Sequence, residues 1–372
     1  MQIEQNNRIE NWLFFLEDPG AVTFSYLLLE KFSTIGINII LIADGLAKKI
    51  LDAKKISYLP FQEYHLRFDF FKLNEIKVFL TGTSENKSSP AFSLMQTARD
   101  LKISTIGLVD GAGSHNERFK GQTDSPLFWA PDWLIVPDLT TQKLYVQLGF
   151  PVEKIKILVH PHYEWIKSIA KNWTINNRQQ QRDSLMPKAG NRKVILFLSE
   201  ISDGLNSSLY KRSEDYSLLG KSEHEGRTEI VLDEFLLGIN QLSPRPYLVL
   251  RLHPKQFKSD LEEYISFFDL ISQEENPLEI VNSSDVVVGI TSSLLVEAYY
   301  LGKPVLSIIP NPNEKLYLGD LSDIIPSLYT RELISEGLNN SINEERINDI
   351  NGQNPQFLNN QCLDFFKTLK QL

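Results

Sequence analysis

Ser283-Ser284-Asp285-Val286-Val287-Val288-Gly289-Ile290-Thr291-Ser292-Ser293-Leu294-Leu295-Val296-Glu297 decides the architecture of this chain. Val286–Ile290 is apolar at every position, as a strand buried on both faces of a parallel sheet should be. It runs into a hydroxyl-rich turn, a helix predicted over Ser293–Leu301, and a second apolar strand, Val305–Ile308. Strand, turn, helix and strand in succession are the repeating unit of parallel α/β proteins.

Outward from that segment the alternation continues. The second half reads as strand Lys193–Leu198, helix Thr228–Asn240, strand Tyr247–Leu252, helix Ser259–Phe268 and a short strand near Leu278–Val281. The first half gives strands at Trp12–Glu17, Asn38–Ala43, Lys77–Leu80, Ser104–Val109, Trp133–Val136 and Lys156–Val159, with helices such as Val22–Phe32, Leu46–Asp52, Pro90–Asp100 and Leu139–Leu148 between them. Lys171–Asn191 is crowded with Asn, Gln, Arg and Lys and reads as a connecting helix and linker; Asn206–Gly226 reads as a mobile polar loop. The expected division is residues 1–165, a linker at 166–192, a nucleotide-binding unit at 193–350, and a C-terminal helix over 351–372 packing back on the first unit.

Length and charge agree with two domains and narrow the partners. The 372 residues are 42% apolar and 23% charged, and 38 basic against 47 acidic side chains leave a net charge of −9. A phosphate backbone is held by basic stripes, so nucleic acid is excluded as a default partner, and any anionic ligand needs a local positive site. Cys362 is the single cysteine, which fits a reducing cytoplasm. The apolar run Trp12–Leu16 is too short for a membrane span; contact with the inner face of a membrane stays open.

Ligands of open parallel sheets sit beyond the carboxyl ends of the strands, and four strand ends carry chemistry. Glu17-Asp18-Pro19-Gly20-Ala21 passes from strand to Gly turn to helix, either a close ligand approach with free helix N–H groups or simply a tight turn. Val109-Asp110-Gly111-Ala112-Gly113-Ser114-His115 sets a carboxylate before two glycines, as a general base toward a hydroxyl or as the cap of a turn. Arg251-Leu252-His253-Pro254-Lys255 places three potential phosphate donors within five residues, or a solvated basic strand end. Thr291-Ser292-Ser293 with Glu297 one turn into the helix offers an anion site and an acceptor for ribose hydroxyls, or plain N-capping with Glu297 at the helix dipole. Ser199, at another strand end, belongs to the same cleft.

With these residues in view, the second half resembles the nucleotide-binding domain of GT-B-fold glycosyltransferases. Ser283–Ala298 followed by Leu301-Gly302-Lys303-Pro304-Val305 is similar to that superfamily's strand, small-residue turn, Glu-bearing helix and Gly-x-Pro-Val entry to the next strand. Ile157-Leu158-Val159-His160-Pro161 is similar to its last N-domain strand, which implies a structural role for His160 and His162 at the domain connection. Within the superfamily the motifs resemble bacterial sialyltransferases and polysialyltransferases: Val109-Asp110-Gly111 for an acidic-acidic-Gly motif, His253-Pro254 for a His-Pro motif, Ser292-Ser293 for a Ser-Ser/Thr motif. Val109 departs from the first motif, where an acidic residue is usual. Polyol-phosphate transferases and the UDP-N-acetylglucosamine 2-epimerase group are further likenesses.

The resemblance implies an α/β chain of the GT-B class, two facing Rossmann-like domains with parallel sheets. It implies a glycosyltransferase that moves a sugar from a CMP-, CDP- or UDP-linked donor to the hydroxyl of a glycan or other acceptor, with inversion, in surface polysaccharide synthesis. Asp110 would be the base; Arg251, His253, Lys255 and Thr291–Ser293 would meet the leaving phosphate. No Asp-x-Asp lies near these segments, so the reading requires no metal and no cofactor beyond the donor. An epimerase, or a non-catalytic nucleotide-sugar-binding protein, is the alternative.

Overall fold

The computed structural model describes residues 9–201, 211–344, 364, 366 and 367. It divides into two compact units, Met1–Glu164 with Gln353–Leu372, and Trp165–Gly352. Among the described residues no helix is long and apolar enough to cross a membrane.

The first unit is built on seven parallel strands: β1 (Glu10–Leu16), β2 (Ile37–Ala43), β3 (Leu59–Pro60), β4 (Ile76–Gly82), β5 (Ser104–Leu108), β6 (Trp133–Val136) and β7 (Ile155–Ile157). Their order is β3-β2-β1-β4-β5-β6-β7. Strand pleating sends Trp12, Phe14 and Leu16 to one face, where they pack with Val22, Phe24 and Leu28 of α1 (Pro19–Phe32); Leu13 and Phe15 go to the other, with Phe71 of α3 (Phe68–Leu73) and Leu94 and Met95 of α4 (Pro90–Asp100). Helices α2 (Ala47–Ala53) and α5 (Leu139–Gln147) complete the crossovers. Phe366 sits edge-on to Trp12 and Phe32; the rest of the helix expected over 351–372 lies outside the described residues, apart from Asp364 and Lys367.

After α6 (Pro161–Asn172), the second unit carries α7 (Ile175–Leu185) and six parallel strands: β8 (Val194–Leu198), β9 (Tyr247–Arg251), β10 (Leu270–Ser272), β11 (Val286–Gly289), β12 (Val305–Ile308) and β13 (Ser327–Leu328), in the order β10-β9-β8-β11-β12-β13. Around them lie α8 (Arg227–Ile239), α9 (Glu262–Ile265), α10 (Pro277–Ser283), α11 (Ser293–Tyr300) and α12 (Arg331–Ser341). In both sheets the chain starts in the middle and reverses direction, between β1 and β4 and between β8 and β11. These are the topological switch points, where loops leave opposite faces and open a crevice.

Two expectations change, and the connecting helix expected within 171–191 is present. Leu278–Val281 is helical, part of α10: Asn276 Oδ1 caps the Leu278 N–H at 3.0 Å and Pro277 takes the first turn, while the short strand lies earlier, at β10. Residues 171–191 hold α7, fastened to its unit because Arg178 and Arg182 both reach Asp285, at 2.7 and 2.9 Å. Of the polar loop, residues 206–210 lie outside the described residues, but 211–226 are pinned: Tyr216 and Leu218 are buried, Ser217 Oγ donates to the Tyr329 carbonyl at 2.7 Å, and His224 Nδ1 lies 2.7 Å from Asp233.

Candidate functional site

In the second unit the strand ends converge on one hydrogen-bonded chain. It begins at His253, just past β9. The ring Nδ1 accepts the Lys255 backbone N–H at 3.2 Å, which places the proton of the neutral ring on Nε2 and makes that atom a donor. Burial, then Lys255, push the imidazole below its ordinary value, with Glu200 opposing them, so the neutral form prevails at neutral pH.

The His253 backbone N–H donates to Gln256 Oε1 at 2.9 Å, and Ser199 Oγ donates to the same oxygen at 2.8 Å. Gln256 Nε2 then donates to the Glu200 carbonyl at 2.9 Å. A buried amide thus ties the end of β9 to the end of β8.

From Glu200 the chain passes to β11 and α8. Glu200 Oε1 accepts the Thr291 backbone N–H at 2.6 Å, and Oε2 accepts Arg227 Nη1 at 2.6 Å. Arg227, only 3% exposed, donates from Nη2 to Thr291 Oγ1 at 3.1 Å and from Nε and Nη2 to Glu314 Oε2 at 2.9 and 2.5 Å. A cation in the first turn opposes the helix dipole, so helix stability gives no reason for Arg227 there; its two carboxylate partners do. Burial works against the guanidinium charge, and Glu314 and Glu200 outweigh it and hold the group charged. Glu314 is pushed up, by burial first and with Glu200 adding to it, against the pull of Arg227.

The structure redistributes the roles expected here. The Thr291 N–H, expected to be open to an anion, is taken by Glu200, and Ser292 is the residue that caps α11, through Leu294 N–H at 3.2 Å. Ser293 is exposed in the first turn of α11 and Glu297 half-buried along it. Arg251 points its Nη1 to Ser272 Oγ at 2.8 Å and Glu275 at 3.4 Å, bracing the end of β10, and Lys255 is exposed. Glu200, Arg227, Gln256 and Glu314 were not identified from sequence. Glu200 was within reach, as the neighbour of Ser199 after a strand; Arg227 and Glu314 carry no motif.

The first unit has its own polar strand-end cluster. Asp110, just past β5, accepts Arg118 Nη1 on Oδ1 at 2.6 Å, and its Oδ2 lies so close to the Gly20 Cα that a β-carbon there would overlap it. Asp18 stands in extended backbone at the cap of α1. Arg118 also donates to Thr83 Oγ1 at 2.9 Å and to the Gly113 carbonyl at 3.0 Å. Burial opposes its charge; Asp110, Tyr145, Glu85 and Asp18 more than offset that. At Gly111 a side chain would meet only open space, whereas Ser114 holds φ 51 in the left-handed region and is buried. His115 is pushed down, by burial first. Glu17 is bound by Asn86 Nδ2 and Ser89 Oγ, both at 2.5 Å. Arg118 and Glu17 were likewise not singled out as site residues. Beside them lies a cavity of about 10 Å³, on the order of one water molecule, lined by Thr83, Ser89, Phe92, Arg118 and Trp129 among others. His160 stacks on Tyr163, with ring centres 4.2 Å apart, and Tyr26 Oη meets His162 Nδ1 at 3.3 Å.

No protein-family model matches the chain, and no curated protein matches it in sequence. Solved structures match over nearly its whole length. The UDP-GlcNAc 2-epimerase from Neisseria meningitidis bound to UDP-GlcNAc superposes with a TM-score of 0.64 at 15% identity, over 97% of this chain and 100% of that one. A glycosyltransferase from Rickettsia africae ESF-5 gives 0.61 at 13% identity, over 96% and 98%. Anabaena HepE in complex with UDP gives 0.57 at 14% identity, over 97% and 100%. At these identities the likeness is one of fold, and the chain has the GT-B-like fold of two parallel-sheet α/β units.

Proposed function

We propose that this chain is a nucleotide-sugar enzyme and that it transfers a sugar from a nucleotide-linked donor to an acceptor hydroxyl. The observation that carries the reading is the chain of hydrogen bonds from His253 through Gln256 and Glu200 to Thr291 and Arg227, laid across the carboxyl ends of three adjacent parallel strands at a topological switch point. A neutral His donor, a buried guanidinium and a strand-to-helix turn suit an oxygen-rich leaving group.

In such a transfer negative charge gathers on the leaving phosphate while the sugar becomes oxocarbenium-like. The second unit supplies the phosphate side, His253 Nε2–H and Arg227 being its donors. The motif likeness assigns the base to Asp110. Its carboxylate, held in place by Arg118, accepts the acceptor's proton as the acceptor oxygen bonds to the sugar. The proton goes to Asp110, the new bond forms from acceptor oxygen to anomeric carbon, and the nucleotide leaves with the old bonding pair.

The second reading is epimerisation, favoured by the likeness to the Neisseria epimerase bound to UDP-GlcNAc. The motif likeness to sialyltransferases points to CMP as leaving group, and two of the structures above hold UDP or a UDP-sugar. Titration with CMP, CDP, UDP and GDP ranks the bases, since a ligand of the native state raises its melting temperature. Incubating the donor of the best base with and without acceptor then separates the reactions. Transfer makes a new glycoside only with acceptor present; a changed sugar configuration with no acceptor would replace transfer by epimerisation.

A further inference from the structure

The guanidinium of Arg227 is divided between two carboxylates that differ in how they are held. Nε and Nη2 face Glu314, whose side chain is 9% exposed and which lies in the helical segment Pro312–Leu321. Nη1 faces Glu200, whose side chain is 14% exposed. Glu200 is anchored through its main chain: its carbonyl accepts Thr228 Oγ1 at 2.6 Å and Gln256 Nε2 at 2.9 Å. Only its carboxylate touches Arg227 and Thr291. A rotation of one side chain releases both without disturbing the sheet.

Two carboxylates share one buried guanidinium, so one of them can leave without stripping Arg227 of its only charge partner. Glu200, whose side chain is the more exposed of the two, is the one with a path to water. Its two oxygens each take one donor at 2.6 Å: Oε1 the Thr291 N–H, just before the cap of α11, and Oε2 the Arg227 Nη1–H. That donor pair suits two oxygens of one phosphate as well as the two of a carboxylate.

We propose that Arg227 Nη1 and the Thr291 N–H are the contact for the donor's phosphate, and that the Glu200 carboxylate holds this place only until phosphate exchanges with it. Arg227 stays fixed throughout by Glu314, and Glu200 swings to water. No covalent bond changes; one oxyanion replaces another. The inference rests on the nucleotide-sugar reading above.

Calorimetric titration with UDP, inorganic pyrophosphate and uridine tests it on the full chain. Removing the competitor, by Glu200→Ala and Glu200→Gln, should tighten UDP and pyrophosphate about 10-fold and leave uridine unchanged. Arg227→Lys should weaken UDP at least 10-fold; if that variant does not fold, the two Glu200 variants still decide. Weaker or unchanged UDP binding in both Glu200 variants overturns the exchange while leaving the nucleotide-sugar reading intact. No UDP or pyrophosphate binding to any chain, wild type included, overturns the exchange, and the same absence across CMP, CDP and GDP overturns that reading too.

Discussion

Oδ2 of Asp110 occupies the volume a β-carbon on Gly20 would need, so the first turn of α1 and the end of β5 meet through a missing side chain. Arg118 grips the other oxygen at 2.6 Å, and the carboxylate has little room to retreat. Gly20→Ala should therefore cost about 1–3 kcal/mol, as overpacking does, read from the midpoint of a denaturant curve. The Asp110→Ala, Gly20→Ala double variant should lose less than the two single losses combined. Strict additivity would mean the two sites do not interact.

Asp110→Asn keeps the shape of the side chain and removes its basicity. In the proposed transfer, turnover should fall by about 10²–10⁴-fold with nucleotide affinity within about twofold of wild type. Equal turnover would remove Asp110 from the reaction, and a melting curve run alongside would show whether loss of the Arg118 pair, and not of the base, is responsible.

A buried and a half-buried histidine set an acid limit on stability. His160 is held well below 6.5 by burial and then by His162, and His253 is lowered by burial and Lys255. The unfolded chain binds those protons near pH 6.5 and the folded chain resists them, so their contribution is complete above about 6.5 and is lost as pH falls toward the folded values. Melting temperature should drop between pH 7 and 5. His160→Gln should flatten that slope; an unchanged slope would place the acid sensitivity elsewhere.

Asp285 acts in the same direction at lower pH. Burial opposes its charge, but the Val194 N–H, Arg178 and Arg182 overcome this and hold the carboxyl below its usual range. Its stabilisation is present above about pH 3.9 and is lost as pH falls through the folded value. Asp285→Asn should cost about 3 kcal/mol at neutral pH, because two guanidinium groups lose their shared partner. Limited proteolysis should then cut first near α7, the helix this carboxylate fastens; uniform resistance would show that α7 is held mainly by its other contacts.

The strand pattern and the polar strand ends are legible in the sequence. Runs such as Leu13–Leu16 and Val286–Val288 are apolar on both faces because helices cover both faces of the sheet, and such runs are visible at single-residue level. The two-residue edges β3 and β13 were not visible, since a strand that short has no periodicity of its own. Leu278–Val281 reads as a strand because a short apolar run in a buried helix looks the same; the Asn276-Pro277 cap is the signal that separates them.

The sequence by itself determined two parallel α/β units and the polar segments that follow their strands. Tertiary structure decided how those ends are wired. His253 and Thr291 belong to one polar chain only because Gln256, Glu200 and Arg227 connect them, and these five residues come from the ends of three strands and the start of a helix. Periodicity is a local property, dictated by the 2- and 3.6-residue repeats of the backbone. A pairing between Arg227 and Glu314 depends on where the sheet's strand order carries two distant segments, and no local pattern records that.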